Sequence, residues 1–312
     1  MAGFNREKVL FPSADGKSTV TGYYYTPQSG TSRAVIQISH GMCEYIRRYE
    51  PMIQVLTEAG FAVCGNDHLG HGDTSVHEDY GFAGEKNGHE FLLKDLHQMN
   101  QLAHEKFPGL PCFMLGHSMG SFYCRWYAEI YPETLSGLVI SGTGGPNPAL
   151  GAGKALAAVI AKLRGPRYVS NLIVSMTTGG YCKGLESEGS PHAWLSRDPA
   201  VWEKYGADPM CTFSFSAAAY HDMLTVYSHV SSARWAEHLD KSMPILIYSG
   251  DQDPVGEKGK GVRAVYELLQ KAGIKDLTMK LYPGGRHEMH NETNRAEVFE
   301  DLMGWLNAHC AP

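Results

Sequence analysis

The sequence lacks a long apolar run. Its longest stretch without a charged residue, Thr134 to Gly153, holds six glycines and two prolines in 20 residues, which suits a loop and not a bilayer-crossing helix. An apolar leader is missing as well. The opening MAGFNREKVLF carries charges where a secretory signal needs apolar residues, and no small-residue cleavage site follows. Secretion is therefore not expected. Basic clusters are equally absent: 27 Lys and Arg stand against 33 Asp and Glu, a net charge of −6, so nothing favours a phosphate backbone and nucleic acid is not an expected partner. Seven cysteines (Cys43, Cys64, Cys112, Cys124, Cys182, Cys211, Cys310) are scattered with no CxxC pair, and an odd number cannot pair fully within one chain. That usage fits a reducing, cytoplasmic compartment. Cys64, Cys112 and Cys124 sit in apolar segments, where a thiol behaves as a small buried hydrophobe.

What is present is an alternation of short β-rich runs with helical patterns. A hairpin is predicted from Lys8 to Thr26, broken at Asp15-Gly16; buried strands follow at Ala34–Ser39, Phe61–Gly65, Cys112–Gly116, Gly137–Ser141, Pro244–Gly250 and Leu277–Gly284. Helices are predicted at Glu50–Ala59, Glu90–Lys106, Met119–Tyr131, Lys260–Ala272 and Arg295–His309. In the third, Met119, Phe122, Tyr123, Trp126, Tyr127 and Ile130 form one apolar stripe, which Pro132 ends. Strands joined by crossover helices make a mostly parallel α/β sheet. The rhythm fails from about Pro146 to Arg234, where only helical pieces separated by glycine and proline remain. Residues 146–234 are thus read as an inserted helical cap, and 1–145 with 235–312 as the core. Cap residues Met176, Tyr181, Trp194, Met210, Phe213, Phe215, Met223 and Tyr227 are suited either to line an acyl pocket or to pack the insertion.

The chemistry is concentrated in "GHSMG", Gly116 to Gly120, a G-x-S-x-G placed between a predicted strand and a predicted helix. A nucleophile elbow needs glycines there because the chain turns sharply and side chains would strike the neighbouring strand and helix. Ser118 is a weak nucleophile until a histidine accepts its proton and a carboxylate orients that histidine. Acid and then histidine are expected in loops after later strands. "YSGDQDPVG" offers Asp251 and Asp253; "YPGGRHEMHNE" offers His287 and His290. Asp253, farther along its loop and before a proline, is taken as the acid, with Asp251 left to cap the turn. His287 follows the strand-end glycines directly and is taken as the base. The backbone N–H of Met119 and that of Met42, in the loop His40-Gly41-Met42, are the candidate oxyanion donors. His40 is read as shaping that loop. Asp67, His68, His71 and Asp73 in "NDHLGHGDT" have no recognised zinc spacing and are read as a hydrogen-bonded loop, not a metal site.

With those residues assigned, the chain resembles the monoacylglycerol lipases and bacterial lysophospholipase-like serine hydrolases of the α/β-hydrolase family. "HGMCEYIRRYE" is similar to that family's HGxxEHxxRY, "NDHLGHGDT" to its DxxGHGxS, and "LSRDPAVWEKYGADPM" to a stretch of its cap. The likeness spans Asp15 to Leu306, with Tyr45 standing where the family usually has histidine. It implies an eight-stranded core with strand one antiparallel, a helical cap, the triad Ser118, Asp253 and His287, and no cofactor or metal. The expected activity is hydrolysis of acyl esters such as monoacylglycerols or lysophospholipids through an acyl-enzyme. The helix GAGKALAAVIAKL also permits transient contact with a lipid surface. Two rivals remain: an aminopeptidase-like amide hydrolase, with Glu186, Glu188 or Asp198 holding the substrate amine, and a receptor that uses the pocket without turnover.

Overall fold

The alternation is realised in a computed structural model that describes residues 3–310. β1 (Phe4–Pro12) and β2 (Thr19–Pro27) form the opening hairpin, its turn held by Asp15, whose carboxylate accepts from the N–H groups of Lys17 and Ser18 at 2.9 and 2.7 Å. There follow β3 (Ala34–Ser39), α1 (Glu50–Glu58), β4 (Phe61–Asn66), α2 (Gly88–Lys106), β5 (Cys112–His117), α3 (Met119–Ile130) and β6 (Gly137–Ser141). Four helices then succeed one another without a strand: α4 (Leu150–Arg164), α5 (Asn171–Thr177), α6 (Pro199–Ala207) and α7 (Ala217–Val230). α8 (Ala233–His238), β7 (Ile245–Gly250), α9 (Lys260–Ala272), β8 (Leu277–Tyr282) and α10 (Arg295–His309) complete the chain. Neither α5 nor α6 is visible in the apolar periodicity, because both are short and mostly solvent-facing.

The strands make one sheet in the order β1-β2-β4-β3-β5-β6-β7-β8. β3 to β8 are parallel, and β2 pairs antiparallel with both β1 and β4. The strand that opposes the rest is therefore β2, not strand one: the tight turn after β1 forces one reversal, and the chain reverses again on entering β3. Every residue of β3 to β7 is buried, as helices on both faces require. Ile36 and Ile38 share one buried cluster with Met52 and Leu56 of α1 and Leu302 and Leu306 of α10; Leu138 and Ile140 share another with Phe122 of α3 and Val262 and Val265 of α9. The α3 stripe buries Met119, Phe122, Tyr123 and Tyr127, but Ile130, in its last turn, is 42% exposed.

Arg125 fixes both ends of the α4–α7 segment. This buried guanidinium donates to the carbonyl of Gly144, where the chain leaves β6, and to that of Val230, at the C-terminal end of α7. Its positive charge meets a helix end rich in unpaired carbonyls. Burial draws its pKa down to about 9.

Candidate active site

β5 delivers Ser118 to the C-terminal edge of the sheet. Its backbone has φ 53° and ψ −121°, a left-handed conformation that a non-glycine residue holds only under constraint. The constraint is local: the Ser118 N–H donates to the Ser141 carbonyl at 3.0 Å, and Ser121 N–H donates to the Ser118 carbonyl at 2.9 Å. The flanking glycines are steric necessities. A Cβ on Gly116 would lie 2.6 Å from the Gly120 carbonyl, and one on Gly120 would strike the Ser39 and His40 carbonyls of β3 and its loop. α3 begins at Met119, so its first N–H groups have no partner within the helix and point to the edge where Ser118 lies.

The loops after β7 and β8 meet beside it. His287 Nδ1 and Asp253 Oδ1 are 3.0 Å apart, both side chains being almost wholly buried. Asp253 is itself held: Oδ2 accepts from Ser249 Oγ at 2.9 Å and Oδ1 from the Val255 N–H at 2.9 Å. Burial acts to lower the His287 pKa, but the charge of Asp253 and its hydrogen bond outweigh it, and the pKa stands above its ordinary value. Asp251 instead accepts from the Gly284 N–H at 2.8 Å, tying the two loops together. His290 stacks on Tyr49 at 4.5 Å, and burial draws its pKa down to about 4. Ser118 and His287 line the same cavity, although among the described residues no hydrogen bond joins Ser118 Oγ to the imidazole.

Met42 and Met119 line that cavity too. His40 shapes the loop between them, its Nε2 accepting from the His68 N–H at 3.0 Å. Asp67 accepts from the Ile46 and Asp73 N–H groups at 2.8 and 2.7 Å, a hydrogen-bonded turn behind the loop. Burial holds His68 at about 3 and His71 at about 4, so both are neutral.

Sequence reasoning passed over a buried charge cluster. Glu44 accepts from the Gly41 N–H and from Tyr49 Oη at 2.7 Å; Arg48 donates to Glu44 at 2.7 Å and to both oxygens of Glu288 at 2.8 Å. One guanidinium thus joins the Met42 loop to the residue after His287. Burial raises the Glu44 pKa despite Arg48, whereas at Glu288 the opposing pull of the two-pronged Arg48 contact prevails and the pKa is lowered. The available signal was Glu44 and Arg48 at i and i+4, with Glu288 beside His287.

The cavity measures about 460 Å³. Met42, Met119, Phe122, Leu150, Met223 and Leu224 make much of its wall, and Glu44, Glu257 and Glu288 also line it. Of the insertion residues named above, Met176, Tyr181, Trp194, Met223 and Tyr227 line it. Phe213 and Phe215 pack against His71 instead. Trp194 reaches His287 directly, with ring centroids 4.9 Å apart and its carbonyl accepting from the His287 N–H at 3.3 Å.

A parallel sheet with a strained serine after β5, and an acid and a histidine on the loops of β7 and β8, defines an α/β-hydrolase. Residues 30–294 match the profile of one branch of that class, and the chain belongs to the family described as serine aminopeptidase, S33. It is 29% identical to a monoacylglycerol lipase of Mycolicibacterium smegmatis, over 91% of each chain. It is 28% identical to the monoglyceride lipase of Homo sapiens, over 96% of this chain and 90% of that one. A solved carboxyl esterase of Bacillus coagulans superposes with a TM-score of 0.92 at 32% identity, covering 98% of this chain and 99% of its own.

Proposed function

We propose that the protein is a serine ester hydrolase that releases fatty acid from monoacylglycerols or related lysolipids. The reading rests on one observation: the Asp253-held imidazole of His287 shares an apolar-walled cavity with Ser118 at the head of α3. Ser118 Oγ attacks the acyl carbonyl while His287 Nε2 takes its proton; the carbonyl electron pair moves to an oxyanion facing the N–H groups of Met42 and Met119. Collapse expels the alcohol, which receives the proton from His287. Water, deprotonated by the same imidazole, then cleaves the acyl-enzyme. Proton transfer requires Ser118 and His287 to draw together when substrate fills the cavity, as such contacts commonly tighten on binding. No metal or organic cofactor enters these steps.

The family description carries the word aminopeptidase, but the insertion carboxylates expected to hold an amine lie away from the cavity. Glu188 pairs with Arg286 at 2.8 Å, Asp198 caps α6 and faces Arg295 at 3.8 Å, and neither they nor Glu186 line the cavity. Of the three carboxylates that do line it, Glu44 and Glu288 share Arg48, and Glu257 lies 4.0 Å from the Lys260 ammonium. Ester relatives and an apolar wall therefore carry the reading.

Residues 146–234 act as a cap on a core of 1–145 and 235–312. Val159, Leu163, Val169, Leu172 and Met176 are 43–75% exposed on this segment. Residues 150–185 carry five Lys and Arg and no Asp or Glu, in a chain of net charge −6. That face suits transient contact with an anionic lipid surface, which would present substrate at Met176 on the cavity lining. Among the described residues, no helix is long and apolar enough to cross a membrane. The seven cysteines are all free thiols, in keeping with cytoplasmic residence.

Ser118→Ala tests the assignment. The variant is expected to keep the wild-type circular dichroism spectrum while losing monoacylglycerol turnover and labelling by a fluorophosphonate. Undiminished turnover in a clean preparation refutes it.

A further inference from the structure

The loop that carries Met42 is gripped on its outer side by the segment following α6. Cys43, itself at a left-handed φ of 56°, donates its thiol to the Phe213 carbonyl at 3.3 Å. The Arg48 guanidinium sits 4.9 Å from the Tyr205 ring. Between these contacts Tyr45 turns away from the cavity into an outer groove, and its hydroxyl donates to Asp208 Oδ2 at 2.7 Å. Asp208 is a fixed post: Oδ1 accepts from the Met210 N–H at 2.8 Å, and its carbonyl from the Cys211 N–H at 2.9 Å. From the other side the loop is held by Asp67 on the Ile46 N–H and by Asp73 on Arg47. Among the described residues, Tyr45 is thus the only one between Met42 and Ile46 whose side chain hydrogen-bonds to another side chain on the insertion.

We propose that Tyr45 is a positioning residue, whose bond to Asp208 lets the insertion set the place of the Met42 N–H in the oxyanion site. The inference rests on the role given to Met42 above. The oxyanion forms only as the acyl carbonyl becomes tetrahedral, so a loop displaced by a fraction of an ångström costs rate and leaves ground-state binding nearly untouched. Burial and the Asp208 bond both raise the Tyr45 pKa, so its hydroxyl remains a donor throughout the working range.

Tyr45→Phe keeps the ring and its contact with Arg47 and removes the bond. The expected result is a kcat lower by about tenfold with KM within about twofold. Affinity for octyl trifluoromethyl ketone, which Ser118 converts to a tetrahedral oxyanion, falls in the same proportion. Asp208→Ala reproduces both losses, and the double variant is no worse than either single one, because both remove the same bond. Asp208→Asn restores most of kcat, since its amide still meets Met210 with oxygen and Tyr45 with nitrogen. An unchanged kcat in Tyr45→Phe, a change confined to KM, an unaltered ketone affinity, or losses that multiply in the double variant each overturn the inference. A wild-type chain that neither hydrolyses esters nor takes the fluorophosphonate overturns the ester-hydrolase reading itself; an active, labelled wild type with an unaffected Tyr45→Phe overturns only the role of Tyr45.

Discussion

Arg48→Met exposes the energetics of the charge cluster most directly. Arg48 is 10% exposed and is the cation shared by Glu44 and Glu288, whose side chains are 3% and 2% exposed. Methionine occupies similar space but leaves two buried carboxylates facing one another. Removing one member of such a group typically costs about 3–5 kcal/mol. At about 2 °C per kcal/mol for a chain of this size, the unfolding temperature should drop by about 6–10 °C near pH 8. The deficit should depend on pH in a definite sense. Without the guanidinium, burial and mutual repulsion raise the folded-state pKa values of both acids above the unfolded range near about 4.3. Groups raised on folding leave stability intact below their unfolded pKa and remove it as pH climbs through the folded one. The gap between wild type and variant should therefore be smallest near pH 5 and widest near pH 8. Paired thermal melts at several pH values supply the measurement. A gap that is constant across that range would mean that only the packing of Arg48 on Tyr205 had been lost, and the electrostatic account would be wrong.

Asp253→Asn should reduce kcat by about 10³–10⁴-fold and shift the acidic limb of the kcat/KM profile downward, because the carboxylate that raises the His287 pKa is gone; a limb that stays in place argues against the pairing. Gly120→Ala should abolish soluble folded protein, its methyl having no room beside the Ser39 and His40 carbonyls; a wild-type unfolding temperature would contradict the elbow geometry. Leu163→Glu with Leu172→Glu should weaken sedimentation with phosphatidylglycerol vesicles several-fold while leaving hydrolysis of a soluble short-chain ester unchanged, since 75% and 56% of these side chains are already in water. Equal vesicle binding by both proteins removes the lipid-surface reading.

Much of the site was legible because its demands are local. A serine forced to left-handed φ at a strand-to-helix turn needs small neighbours on both sides, and Gly116 and Gly120 record that need in five residues. The expected acid and base, Asp253 and His287, sit on loops that each follow a strand, and the structure brings them within 3.0 Å. Tyr45, Arg48, Glu288 and Trp194 were not legible in the same way. Their roles depend on partners 163, 240 and 93 positions away, in segments whose spacing carries no periodic signal.

The linear sequence alone determined the alternating strands and helices and pointed to the elbow and to an acid and a histidine after it, since hydrophobic period and glycine sterics act over a few residues. Only the tertiary structure decided that β2 is the reversed strand, that one arginine pairs with two buried acids from opposite sides of the site, and which insertion residues face the cavity. Those outcomes are set by long-range packing and by the cost of leaving a buried charge or donor unpaired, and that cost is defined only once distant segments have met.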